Sequence, residues 1–194
     1  MSRTDTDVYL ALIHHPIYNI KGEKITTTVT NYDLHDISRA GRTYDINKYF
    51  VINHLESQKA LVKRMRNYWT DGYGSDYNDN RSDAFSILNI ADTLEEVISK
   101  IEKENGSSPL LVATDAKDLP NSYSYKEMRK IMYSSDNPFL IIFGTGWGLT
   151  EETFDKCDYI LDPIWGRGDF NHLSVRSAAS IIMDRLLCEP WWKN

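Results

Sequence analysis

Three stretches of the chain place chemistry-bearing side chains among glycines. The first is Phe143-Gly144-Thr145-Gly146-Trp147-Gly148-Leu149, directly after an apolar run. Glycine admits positive φ and lets backbone N–H and C=O groups approach a ligand closely. The spacing Gly144-x-Gly146-x-Gly148 is not the dinucleotide fingerprint, and the loop has no P-loop lysine. It therefore suits a ligand without strong negative charge, or else only a tight strand-to-helix turn. The second stretch is Asp162-Pro163-Ile164-Trp165-Gly166-Arg167-Gly168-Asp169-Phe170-Asn171-His172. Asp169 and His172 are its acid/base candidates, although Asp169 is equally suited to capping backbone N–H groups. The third, 26–42, carries Thr30, Asn31, Asp33, Asp36, Arg39 and Arg42. Asp36 and Arg39 are spaced for a helical ion pair. Alternatively Arg39 and Arg42 form a phosphate clamp, since the guanidinium fork matches phosphate oxygens.

These stretches need a scaffold, and the hydropathy pattern supplies one. Apolar runs at 8–15, 49–52, 86–91, 110–114, 139–143 and 159–161 read as strands. Helical patterns fill 33–44, 57–69, 93–104, 124–133, 151–156 and 173–187. In the second helix Ser57 is the expected cap and Leu61, Met65 and Trp69 the expected apolar face. In the third, Thr93-Leu94-Glu95-Glu96 fits a capping box, and Asn105-Gly106 ends the helix. Alternation of strand and helix predicts an α/β fold with a mainly parallel sheet flanked by helices. Ligands of such sheets bind at the carboxyl ends of strands, where the glycine loops fall. The turn-rich stretch 70–83 reads as a loop insertion within one domain spanning 1–194.

The formal net charge is −6, from 22 basic and 28 acidic residues. That opposes a whole-surface nucleic-acid binder but leaves a local basic patch open. Lys59, Lys63, Arg64 and Arg66 crowd one helix, either as a solvated face or as an RNA-backbone contact. Two cysteines, Cys157 and Cys188, are too few for a disulfide framework or a tetrahedral zinc site. No metal is expected. No apolar run approaches the ~18 residues that span a bilayer, and the first residues are polar, without a secretory h-region. The expectation is a cytoplasmic protein without a membrane partner. Trp191 and Trp192 are expected to pack on the chain or on a partner.

Five segments in order carry a resemblance: YLALIHHPIYN, TNYDLHDISRAGRTYDI, LLVATDAK, FGTGWGL and LDPIWGRGDFNHLSVRSAASIIMDRLL. They resemble the SPOUT superfamily of RNA methyltransferases, the α/β-knot enzymes. Within it they resemble a compact bacterial family whose members also occur joined to a tRNA (guanine-N1)-methyltransferase. The resemblance runs from about Asp7 to Leu187. It implies a deep C-terminal trefoil knot, a rare exception to unknotted connectivity. It also implies S-adenosylmethionine bound in the knot loops, a homodimer with the active site at the subunit boundary, and tRNA or rRNA as substrate.

Carried over by position, the resemblance assigns Thr114, Phe143, Gly144, Thr145, Gly146, Trp147 and Gly148 to the cofactor pocket. Leu161, Pro163, Ile164 and Gly166 bring backbone groups to it, and His172, Leu173 and Ser174 begin the last helix beside it. Arg39 falls where the ribose-methylating branch has its motif arginine. Three departures count against ribose methylation and leave a base nitrogen or another RNA position open. Asp33 stands where that branch has Asn, Ser174 replaces an Asn, and the glycine loop lacks the branch's Glu, with Glu151 and Glu152 only after it.

Methyl transfer from a sulfonium needs alignment and, for a hydroxyl or ring N–H acceptor, a base. Arg39 is expected to hold an RNA phosphate, because a guanidinium, ordinarily protonated up to a pKa above ~12, is a poor base. Asp169 is the first choice for the base, ahead of Asp33 and His172. Arg42, Lys63, Arg64 and Arg66 are the further RNA-binding candidates. The alternative is a non-catalytic S-adenosylmethionine- or RNA-binding module acting with a partner methyltransferase. A third reading is an unknotted nucleotide-binding α/β protein.

Overall fold

The structure, a computed structural model, describes residues 6–188. The elements begin with β1 (Val8–Ile13), β2 (Ile17–Tyr18), β3 (Lys24–Ile25), α1 (Asn31–Thr43), β4 (Lys48–Ile52) and α2 (Glu56–Thr70). Then come α3 (Tyr73–Tyr77), α4 (Asp79–Ser86), β5 (Leu88–Ala91), α5 (Leu94–Asn105), β6 (Leu110–Thr114) and α6 (Tyr125–Ser134). The last are β7 (Phe139–Gly144), α7 (Glu151–Phe154), β8 (Tyr159–Leu161) and α8 (Val175–Leu187).

Six strands form one parallel sheet in the order β5-β4-β1-β7-β6-β8. β1 and β7 are apolar and buried almost end to end, as strands covered on both faces must be. Alternate residues of β1 enter different cores. Val8, Leu10 and Leu12 join Leu34 and Ile37 of α1, Met128 and Met132 of α6, and Ile182 and Leu186 of α8. Tyr9, Ala11 and Ile13 join Leu94, Val97 and Ile101 of α5. The chain leaves β1 toward β4 and β5, then returns to place β7 on its other side. The pairing Ile13↔Gly144 brings β1 and β7 to their carboxyl ends together. Open parallel sheets hold ligands at such switch points.

Several local expectations need correction. Stretch 70–83 is not a loop: α3 and most of α4 lie within it, with Asn78 capping α4 through the Arg81 N–H. Its many Asp, Asn and Gly residues serve as caps and close contacts. Gly74, for example, packs so near Trp69 that a Cβ would come within 2.6 Å of the indole. α2 starts at Glu56 after Leu55, so Ser57 does not cap it. Leu61 is exposed, and the buried face of α2 is Lys59, Val62 and Trp69. In α5 the Thr93 side chain accepts the Glu96 N–H, but Glu96 returns its carboxylate to the Asp92 N–H, one residue early. α8 begins at Val175 with Ser174 as its cap. The β2–β3 hairpin, two residues per strand, was too short to carry an alternation signal. Trp191 and Trp192 lie outside the described residues. Both cysteines are free, and burial pushes the Cys157 thiol up to about 12. No helix among the described residues is long and apolar enough to cross a membrane.

Candidate functional site

A cavity of about 620 Å³ opens at the carboxyl ends of β6 and β7. Thr114, Phe143, Gly144, Thr145, Gly146, Trp147 and Gly148 line it from the strand side. Ile164, His172, Leu173 and Ser174 line it from the segment that leads into α8. Eleven of the fourteen positions assigned to the cofactor thus converge on one space. Leu161 and Pro163 are buried beneath it, and Gly166 is exposed away from its wall.

The glycines act partly through the loop's own packing. Gly146 has φ +59°, and a Cβ there would meet Ile17 Cδ1 at 2.7 Å, on the hairpin side rather than in the cavity. Gly148 has φ +104°, and its Cβ position lies 3.2 Å from Asp115 Oδ2 on the cavity wall. Both conformations strain any residue with a side chain.

Several lining residues escaped the sequence reading. Asp115 follows β6 directly and is the sole carboxylate on the described wall. Its Oδ1 accepts the Lys117 N–H at 2.8 Å, leaving Oδ2 toward Gly148. Its place at a strand's carboxyl end was the available signal, drowned by a short polar stretch without glycine. Asn171 ties the α8-side segment over the cavity by donating to Ala116 O at 2.6 Å. Tyr125 lines the cavity with its hydroxyl buried and the Arg185 guanidinium over its ring. Burial raises its pKa.

The wall fits an adenosyl group carrying a sulfonium. Phe143, Leu173, Val175 and Ile182 supply apolar surface, and the glycine loop supplies backbone groups. Asp115 and Lys117 both line it, with no arginine on the described wall to hold a phosphate chain.

The expected catalytic residues are not gathered there. Asp169 is exposed and off the cavity wall. Asp33 is 5% exposed and serves the start of α1. Its Oδ2 accepts the Thr30 hydroxyl at 2.6 Å, and its N–H donates back to Thr30 Oγ1. Arg39 and Arg42 instead line a groove of about 850 Å³ between α1, α4 and α8, with Arg176, Ser177 and Ser180 on its far side. Arg39 makes no ion pair among the described residues, whereas Arg42 pairs with Asp83 at 2.9 Å. The expected Asp36–Arg39 pair is replaced by Asp36–Arg176 at 3.2 Å, and Arg176 also lies 3.8 Å from Asp33. Lys63 and Arg64 are exposed on α2, off the groove wall, and Arg66 is half-buried. Lys59 is buried between Glu56 and Asp92, each at 2.6 Å.

One helix divides the two spaces. Val175, Ala178 and Ile182 of α8 face the cavity, whereas Arg176, Ser177, Ser180 and Ile181 face the groove. At about 100° per residue these sets occupy opposite sides of the helix.

Known proteins match this arrangement. A protein of Aquifex aeolicus, itself without an assigned activity, is 44% identical over 180 residues, covering 93% of this chain and 88% of its own length. A tRNA (guanine-N(1)-)-methyltransferase of Oleidesulfovibrio alaskensis is 35% identical over 185 residues. The match covers 95% of this chain but 43% of that protein. The SpoU methyltransferase AviRb from Streptomyces viridochromogenes, solved with AdoMet, superposes with a TM-score of 0.57 at 17% identity. That match covers 96% of this chain and 58% of the other. A family model described as SAM-dependent RNA methyltransferase matches residues 7–188. The chain belongs to this family of SAM-dependent RNA methyltransferases.

Proposed function

We propose that the chain methylates tRNA or rRNA, with S-adenosylmethionine in the cavity beside the glycine loop. We also propose that the catalytic unit is a homodimer. The partly apolar cavity at the carboxyl ends of β6 and β7, with Asp115 on its wall, carries the cofactor assignment. Bound there, S-adenosylmethionine supplies a methyl group already activated by a positive sulfur. The residues present then have to align, exclude water and accept a proton. Phe143, Leu173 and Ile182 exclude water, and the glycine loop fixes the adenosyl moiety. Asp115 complements the sulfonium charge.

The two-sided α8 supports the homodimer. Within one chain Arg39 and the cavity lie across the helix from each other. Arg39 therefore serves best in a cavity contributed by a second copy, where its guanidinium fork grips an RNA phosphate. Arg42 extends that grip, and Lys63, Arg64 and Arg66 carry a more distant part of the RNA. Asp169, three residues before His172, takes the acceptor's proton once RNA is seated over the exposed segment. Asp33, held in its capping bond, has a structural role. The final segment passes through an earlier loop to form the trefoil knot, and residues 1–194 make one methyltransferase domain.

Titration calorimetry with S-adenosylmethionine, its demethylated product and ATP tests the cofactor site. Micromolar binding of the first two, lost in Gly148→Val, is expected. Binding of ATP alone would overturn the reading. Transfer of labelled methyl to total RNA, followed by nucleoside analysis, then identifies the acceptor. Unchanged turnover of Asp169→Asn would remove Asp169 as the base.

A further inference from the structure

The glycine loop is held from behind by a chain of hydrogen bonds that runs from the buried His14 to the half-buried Thr27 and Thr145. His14 follows β1 and is 1% exposed. Its Nδ1 lies 2.9 Å from Thr27 Oγ1, which lies 2.6 Å from Thr145 Oγ1 in the loop. Thr145 Oγ1 in turn lies 3.0 Å from Ile13 O.

Proton directions in this chain follow by elimination. A carbonyl oxygen only accepts, so the Thr145 hydroxyl donates to Ile13 O. A hydroxyl has one proton, so Thr145 must accept from Thr27. The Thr27 proton is then committed, and Thr27 must accept from His14 Nδ1–H. His14 is therefore the Nδ1–H tautomer, and its Nε2 carries a bare lone pair. That Nε2 is buried without a hydrogen-bond partner. Burial lowers the His14 pKa to about 4, which keeps the ring neutral near pH 7.

The backbone supports the same arrangement. The Thr27 N–H donates to His14 O at 2.9 Å, and buried Asn53 donates to Thr27 O at 3.2 Å. The stretch running into α1 is thus fixed before it meets Thr145. Thr145 also lines the cavity.

We infer that His14 is a positioning residue for the cofactor loop, ordering Thr145 through Thr27 so that the loop is formed before a ligand enters. The inference rests on the reading that this cavity holds S-adenosylmethionine. Preforming a loop raises affinity because the ligand no longer has to order it.

The tautomer is tested on ligand-free protein by long-range 15N–1H correlation of the histidine side chains. An unprotonated Nε2 signal for His14 is expected, and an Nε2–H tautomer would overturn the relay. This readout stands apart from the cofactor reading, which alone fails if the wild type takes no S-adenosylmethionine. Calorimetry on folded variants tests the consequence. His14→Leu and Thr27→Val should each weaken S-adenosylmethionine binding about tenfold. The double variant should be no weaker than either single one, because each breaks the same chain. His14→Asn keeps an N–H where Nδ1 stood and should restore affinity to within about threefold of the wild type. A lowered melting temperature with unchanged affinity, or additive losses, would reduce His14 to a structural residue and overturn the inference.

Discussion

The two sides of α8 solve different binding problems. On one side Val175, Ala178 and Ile182 close a partly apolar cavity beside the glycine loop, with Asp115 and Lys117 as its charged side chains. On the other, Arg176, Ser177 and Ser180 face Arg39 and Arg42 across a polar groove. The cavity is shaped by backbone conformation and buried hydrogen bonds, which salt barely touches. The groove works through exposed charges, which salt screens. A steric change in the glycine loop should therefore break the cavity side alone, and loss of a groove arginine the groove side alone.

The largest effect is expected at Gly148. Valine there meets a positive φ and places its Cβ 3.2 Å from Asp115 Oδ2. We expect S-adenosylmethionine binding to fall by at least about 100-fold, while RNA binding measured by filter retention stays within about twofold. Parallel loss of both would mean that the two sides are one folding unit with no separable sites.

Protons should also divide the two sides. The His14 value of about 4 stands below its ordinary 6.5, so the unfolded chain binds a proton that the folded chain refuses between those values. Stability contributed by neutral His14 is complete above pH 6.5, falls as pH drops toward 4, and then levels off. The loss is about 3 kcal/mol at its limit. His15 and His35 are also lowered, mainly by burial, and add in the same direction. Urea titrations of wild type and His14→Asn from pH 7 to 4 isolate the His14 share. Identical pH slopes would show that His14 is not the group responsible.

On the groove side, Arg39→Ala and Arg42→Ala should each weaken RNA binding about tenfold at low salt and flatten the salt dependence by about 0.7–0.9 per lost contact. Arg39→Ala is expected to cost more, because Arg42 is already engaged by Asp83. Neither should change S-adenosylmethionine affinity. Equal RNA affinity in Arg39→Ala would remove the groove from the RNA path.

How much of this could be read from the residues depends on the range of the forces involved. The strands were legible because burial on both faces leaves uninterrupted apolar runs such as Phe139–Gly144. The glycine loop was legible because positive φ demands glycine. Asp115 was not, since a lone carboxylate after a strand looks like any turn residue until Gly148 is brought against it. The partner of Asp36 was misread because Arg176 is distant in sequence, and local spacing favoured Arg39. The helices at 73–77 and 79–86 were missed because neither carries a periodic apolar face: single residues, Gly74 and Phe85, pack them on Trp69 of α2.

The smallest effect is the most discriminating. Asp115→Asn keeps shape and the hydrogen bond from the Lys117 N–H but removes the charge on the cavity wall. S-adenosylmethionine carries a positive sulfur, whereas its demethylated product carries a neutral one. If Oδ2 faces the sulfur, the substitution should weaken the first ligand by about threefold to tenfold and the second hardly at all, since partly exposed charge pairs are worth about a kilocalorie per mole. If Oδ2 instead meets the ribose hydroxyls, both ligands weaken alike, because each presents the same sugar. The ratio of the two affinities therefore locates the sulfur within the cavity. It also determines which rim, glycine loop or His172 segment, the methyl group faces when RNA arrives.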